Sequence, residues 1–146
     1  MQILFRPFHA DDLPELRTWF EDAEVARRLS FPTDEWFAYV TAGETASCWT
    51  ATGADDRMIG QLQIDREDSG LGYLEFVVRP DLQGRGTGTA MLRAFLAGPG
   101  QAYTAVEAHI EADNSASIAC CRRCDFTMLP ERDADGFVRA IYRVTP

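Results

Sequence analysis

Long apolar runs are missing from this chain. No window of its 146 residues approaches the roughly 18 apolar positions that span a bilayer. The opening MQILFRPFHADD carries Arg6 and then acids where a leader would show an apolar core and a small-residue cleavage site. Membrane insertion and secretion are set aside, and a cytoplasmic protein is expected. Positive charge is scarce too: 14 basic side chains against 23 acidic ones leave a formal net charge of −9. A reader of nucleic-acid phosphates would lack its main source of affinity, so that class is excluded. The same acidic balance suits a cationic amine partner as well as plain solubility. The two histidines, His9 and His109, lie far apart, and the CxxC spacing of Cys121 and Cys124 has no second pair. No metal site is therefore expected, and the thiols are expected to be reduced. Repeats, low-complexity tracts and linkers are absent as well, which leaves one continuous domain over residues 1–146 as the simplest organisation.

What is present reads as alternating strands and helices. QILFR predicts a first strand, and HADDLPELRTWFEDAEVARRLSF predicts one or two helices with Asp11 or Asp12 near a cap. After Pro32, TDEWFAYVTAG restarts a short helix with Thr33 as its cap. TASCWTATG, RMIGQLQIDRE and YLEFVVRP alternate apolar and polar residues around turns, which predicts three antiparallel strands. GTAMLRAFLAG then places Met91, Leu92, Phe95 and Leu96 on one helical face. YTAVEAHIEA alternates again, NSASIACCRRC is helical from an Asn114 cap, and DFTMLPERDADGFVRAIYRVT supplies two closing strands. The order β, helices, βββ, α, β, α, ββ implies an α/β (α+β) fold: a mixed, mostly antiparallel sheet of six to seven strands with helices on both faces.

The segment VVRPDLQGRGTGTAMLRAFL asks what three glycines at alternate positions do between a strand and a helix. A helix start turns free N–H groups outward and favours anions, phosphates above all. Gly84, Gly86 and Gly88 remove β-carbons that would hold a diphosphate away, and Arg85 adds a positive charge at the entrance. A Walker loop is excluded because Gly86 is followed by Thr87 where lysine is required. A dinucleotide fingerprint is excluded because Thr89 or Met91 stands where its third glycine belongs, and because the preceding strands are antiparallel.

Gln83-x-x-Gly86-x-Gly88 instead resembles the coenzyme A pyrophosphate loop of the GNAT superfamily of N-acetyltransferases. Asn114, Ser117 and Phe126 in NSASIACCRRCDF resemble that family's second signature, and the opening LFRPFHADDLPELRTWFEDAEVARRL is similar to its ribosomal-protein-type and aminoglycoside-type branches. Two residues depart from the pattern: Cys121 stands where many members carry a tyrosine that protonates the departing thiolate, and Asp125 stands where glycine precedes the aromatic.

The resemblance implies a sheet splayed between its fourth and fifth strands, with acetyl-CoA as co-substrate in the gap. Backbone groups of Phe76, Val77 and Val78 and the loop of Gln83, Gly84, Arg85, Gly86, Thr87, Gly88 and Thr89 would hold the coenzyme, with Asn114 and Ser117. It implies direct attack in a ternary complex by a primary amine of a small cationic molecule or of a protein N-terminus. A homodimer is also compatible with the family's habits.

A protonated amine needs a base at neutral pH. Glu75, the charged residue inside an apolar strand, is the first candidate, with Glu111 and His109 next on a strand where Glu107, His109 and Glu111 share a face. Ser117 and Cys121 are candidate proton donors to sulfur, although Cys121 suits plain packing as well. Arg85, Arg93, Arg122 and Arg123 are candidates for a 3′-phosphate, and Trp19, Trp36 and Phe37 for the acceptor wall or the core. The alternative is a non-catalytic acyl-CoA-binding or regulatory module, motivated by the missing tyrosine.

Overall fold

The structure is a computed structural model that describes residues 2–146. A strand β1 (Leu4–Pro7) leads through a 3-10 turn into α1 (Leu13–Trp19), α2 (Ala23–Arg28) and α3 (Asp34–Thr41). Three strands follow, β2 (Ala46–Thr52), β3 (Met58–Arg66) and β4 (Leu71–Val78). Next come α4 (Thr87–Ala97), β5 (Ala105–Ile110), α5 (Ser115–Arg123), β6 (Thr127–Met128) and β7 (Val138–Arg143). The seven strands form one sheet in the order β1-β2-β3-β4-β5-β7-β6, antiparallel throughout except for the parallel pair β4 and β5.

Capping explains the helix starts. Asp22 accepts from Val25 N at 3.1 Å, Thr33 from Trp36 N at 3.1 Å and Asn114 from Ser117 N at 3.2 Å, so each spends one orphan donor of its helix. The long first helical stretch of the sequence divides in two because Asp22 caps a new helix there. Asp12 acts elsewhere: buried, it accepts both Arg6 nitrogens at 2.7 and 2.8 Å and Thr50 Oγ1 at 3.0 Å, tying the entry of α1 to β1 and β2.

The two sheet faces bury separate cores. Met91, Leu92, Phe95 and Leu96 of α4 pack with Cys120, Cys121 and Cys124 of the α5 segment onto Leu62, Ile64, Leu74 and Val106. On the other face Leu16, Trp19, Val25 and Val40 of the first three helices cover Cys48 and Val77.

One irregularity positions everything that follows. The parallel ladder between β4 and β5 stops at Tyr73 and Glu107, yet β4 runs on to Val78 and β5 to Ile110. The strands part there and open a cleft of about 1180 Å³. No helix among the described residues is long and apolar enough to cross a membrane.

Candidate active site

One half of the cleft is built from backbone. In an antiparallel pair, alternate residues turn both their N–H and C=O toward the partner strand. Arg79 N donates to Ile59 O at 2.9 Å, so Arg79, Val77 and Glu75 direct their backbone groups to β3. Phe76 and Val78 therefore direct theirs into the gap, where Gln83 Nε2 meets Val78 O at 3.1 Å. Of the three strand residues named from the sequence, Val77 is thus turned away in its backbone, and its side chain is buried under the first three helices.

The loop after β4 divides its glycines by task. Gly84 and Gly86 have φ of +76° and +79°, a left-handed backbone that disfavours side chains. Gly88 needs no such backbone: a β-carbon there would lie 3.5 Å from Val78 Cγ2 and 3.8 Å from Cys120 Sγ, filling the passage between β4 and α5. The first N–H spent inside α4 is that of Ala90, on Gly86 O at 3.1 Å. Those of Thr87, Gly88 and Thr89 are left for an external acceptor at the positive end of the helix. Gln83, Gly84, Gly86, Gly88 and Thr89 line the cleft, whereas Arg85 projects to solvent and the Thr87 side chain is buried beneath the helix start.

Across the gap, α5 offers Asn114 and Ser117 to the cleft wall. Asn114 Oδ1 is committed to capping, which leaves its amide N–H groups for a ligand. Cys121 is fully buried in the core and does not line the cleft; burial pushes its thiol up to about 12, with Cys120 as a second cause. Its neighbour Cys120 lines the wall beside Gly88 instead, its thiol lowered first by the hydrogen bond from Cys124. Arg123 lines the cleft as well, while Arg93 is spent on Arg123 O at 2.9 Å.

The other half is built from side chains. Cross-strand register sets Gln63 opposite Glu75 and Asp65 opposite Tyr73, so all four share one face, and all line the cleft. Glu75 is wetted through the opening, but the surrounding walls crowd it. That burial, with the like charge of Asp65 second, raises its carboxyl above the usual carboxylate range. Trp36 Nε1 donates to Gln63 Oε1 at 2.8 Å, Gln63 Nε2 donates to Asp65 Oδ1 at 2.9 Å, and Tyr39 OH donates to Asp65 from α3.

On β5, both ring nitrogens of His109 are engaged by carboxylates, Nε2 with Glu107 at 2.6 Å and Nδ1 with Asp133 at 2.7 Å. Neither ring nitrogen is left free for an incoming amine. Glu107 is buried and also meets Arg139 at 3.1 Å; burial pushes its carboxyl up, but hydrogen bonds from Arg139 and His109 outweigh it and the net direction is down. Glu111 is held by Arg28 at 3.3 Å, which also meets Asp113 at 2.6 Å and Glu24 at 2.7 Å. Arg28 so staples α2 to the loop after β5 across the cleft.

Sequence reading placed Glu75 and the glycine loop but passed over Asp65, Gln63, Tyr39, Arg28 and Asp133. The alternation in QLQIDR puts Gln63 and Asp65 on a common face. Which strand they adjoin is a matter of register, and the partners Trp36 and Tyr39 come from a helix more than twenty residues away.

The fold is shared with solved acetyltransferases. The aminoglycoside acetyltransferase AAC(6')-Ib in complex with coenzyme A superposes with a TM-score of 0.81 at 18% identity, over 97% of this chain and 95% of that one. Spermidine N-acetyltransferase from Vibrio cholerae in complex with CoA and spermine gives a TM-score of 0.79 at 13% identity, over 98% and 96%. A domain from Methanocaldococcus jannaschii DSM 2661 gives 0.76 at 16% identity, over 97% and 98%. No curated protein sequence matches. The model of the acetyltransferase (GNAT) domain matches residues 2–127, and with that match over most of its length the chain belongs to the GNAT acetyltransferase family.

Proposed function

We propose that this protein transfers the acetyl group of acetyl-CoA to a primary amine of a small cationic molecule, with a protein N-terminus as the other acceptor of that chemistry. The observation that carries the reading is the early end of the β4–β5 ladder at Tyr73 and Glu107, which leaves the backbone groups of Phe76 and the N–H of Val78 without a strand partner beside an open passage at Gly88. The residues fit the coenzyme: the diphosphate would meet the N–H groups of Thr87, Gly88 and Thr89, and the pantetheine amides would meet Phe76 and Val78. Asn114 and Ser117 would close the opposite wall, and Arg123, which lines it, would meet a phosphate. Bound there, the coenzyme supplies an activated acetyl thioester.

The chain supplies the proton handling. Glu75 accepts a proton from the ammonium of the acceptor, so that the nitrogen gains the lone pair with which it attacks. The raised carboxyl suits this task better than an ordinary glutamate would, because a base works best when its pKa approaches the working pH. Proton delivery to the departing sulfur falls to Ser117 or to water, since Cys121 is sealed in the core. A cytosolic location would suit the four unbridged cysteines, which stay reduced there.

The test is isothermal titration with acetyl-CoA followed by acceptor-dependent release of free thiol across a panel of polyamines, aminoglycosides and peptides. Saturable binding with amine-dependent turnover supports the reading. Binding without turnover on any amine favours the non-catalytic acyl-CoA module, for which the missing tyrosine at Cys121 speaks. No binding removes both.

A further inference from the structure

The carboxylates around the cleft fall into two groups. Glu24, Glu111 and Asp113 are held by Arg27 and Arg28, and Glu107 by Arg139 and His109. Asp65 and Glu75 meet no arginine or histidine among the described residues, although they are cross-strand diagonal neighbours on one face of adjacent strands. The partners of Asp65 are neutral donors instead, Tyr39 OH and Gln63 Nε2, and Gln63 is itself fixed by Trp36. Neutral donors orient a carboxylate without cancelling its charge. A helix and a strand therefore converge to hold one negative charge in place beside the base.

We propose that Asp65 is the positioning residue for Glu75: its fixed charge, presented by Tyr39 and Gln63, governs the pH at which Glu75 takes the proton of the acceptor and releases it. This inference rests on the reading of Glu75 as base and extends it to a second residue. In the step concerned an N–H bond of the ammonium breaks and an O–H bond forms on Glu75; Asp65 takes no part in the transfer. Two like charges at diagonal positions on one face of paired strands disfavour each other's ionised form. Glu75 is the carboxyl this repulsion acts on, because Asp65 has two donors to its oxygens and Glu75 accepts none among the described residues.

The other groups facing Glu75 do not substitute for this charge. Tyr73 stands two residues away on β4, and its ring packs against His109 at 5.6 Å. Glu107 and His109 on β5 are bound to each other and to Arg139 and Asp133. Glu24 and Arg28 on α2 are paired with each other.

The deciding experiment reads Glu75 directly, with or without turnover. The full chain is labelled with ¹³C at glutamate side-chain carboxyls, and the Glu75 resonance is assigned by its loss in Glu75→Gln. Its titration midpoint is then followed in variants. Asp65→Asn is expected to move the midpoint down by about half to one pH unit. Gln63→Glu, which sets a further carboxylate directly opposite Glu75, is expected to move it up. Asp65→Glu keeps the charge and leaves it near the wild-type value. With an active acceptor, the acid limb of kcat/KM shifts in the same directions while KM for acetyl-CoA is unchanged. An unmoved midpoint in Asp65→Asn, or Asp65→Glu behaving like Asp65→Asn, overturns the inference; if Asp65→Asn does not fold, Asp65→Ser, which also removes the charge, decides by the sign of its shift. A wild-type protein that acetylates no amine but shows these shifts would refute the transfer reading and leave the Asp65–Glu75 coupling standing.

Discussion

The two halves of the cleft are made in different ways. The half proposed to face the coenzyme is backbone: the strand edge at Phe76 and Val78 beyond the end of the β4–β5 ladder, a loop with two left-handed glycines, and the first turn of α4. The half proposed to face the acceptor is side chains, contributed by α2, α3, β3, β4, β5 and the loop before β7. A backbone site tolerates almost any side chain that leaves the path clear, and so depends on absences. A side-chain site depends on which residues the register brings together.

The sharpest way to break the comparison is Gly88→Val. Its backbone is ordinary, so the fold should survive, while the new side chain enters the passage between Val78 and Cys120. Acetyl-CoA affinity by titration should fall on the order of 100-fold, about 2.7 kcal/mol, with little change in Tm. Gly86→Val is the informative contrast, because its β-carbon meets nothing in the protein but its φ of +79° is unfavourable. That variant should lose stability, of order 1–2 kcal/mol, by distorting the loop.

Glu75→Gln breaks the other half. Acetyl-CoA binding should persist, and amine-dependent turnover should drop roughly 10²- to 10³-fold. On the proposed mechanism the rate requires ionised Glu75, and burial followed by the Asp65 charge raises its pKa. The acid limb of the rate profile should therefore lie above the ordinary glutamate value and disappear in Glu75→Gln. A limb that survives the substitution assigns the proton step elsewhere.

Legibility in the sequence follows the same division. The glycine loop, the α4 face and the Asn114 cap are contiguous, so the strand-to-helix passage and the mixed sheet could be read from neighbours in the chain. The three glycines nevertheless looked alike, and only backbone angles separate the conformational pair from the space-making Gly88. Cys121 was a candidate by position in a motif, but on α5 the direction of a side chain changes by about 100° per residue. Cys120 consequently lines the cleft and Cys121 the core. His109 was a candidate base by alternation, and what commits its ring is Asp133, 24 residues further on. Asp65 was invisible as a partner of Glu75 because pairing of β3 with β4 had first to fix which residues share a face.

A smaller effect separates the paired carboxylates from the unpaired ones. Glu107 is buried and its net pKa direction is down, through Arg139 and His109. A carboxyl with a depressed folded-state pKa contributes stability above its unfolded pKa, near 4.3, and that contribution is lost as pH falls through the folded value. Glu107→Gln should lower stability by about 1–2 kcal/mol at pH 7 in urea unfolding. The difference from wild type should narrow at acid pH, where both chains carry a neutral group. Glu75→Gln should have the opposite sign, because its pKa is raised and its ionised form is the one disfavoured by folding.

The smallest expected change lies outside both halves, at the end of α5. Phe126 N bonds Cys121 O at 3.0 Å and Asp125 N bonds Arg122 O at 3.1 Å, the two reversed bonds of a Schellman ending. Such an ending requires a left-handed residue, and Asp125 occupies it with φ of +67°. The departure from the glycine expected here is therefore a strained backbone position filled by one of the few side chains that tolerate it. Its negative charge also sits at the negative end of the helix dipole. Asp125→Gly relieves both terms, and the greater freedom of glycine in the unfolded chain offsets part of the gain. The net should be a stabilisation of about 0.5 kcal/mol, one to two degrees in Tm by calorimetry. Acetyl-CoA affinity and the pH limb of Glu75 should both stay put, because the turn feeds Phe126 into the core and touches neither wall. A change in coenzyme affinity would instead show that the end of α5 moves with the cleft wall that its first two turns supply.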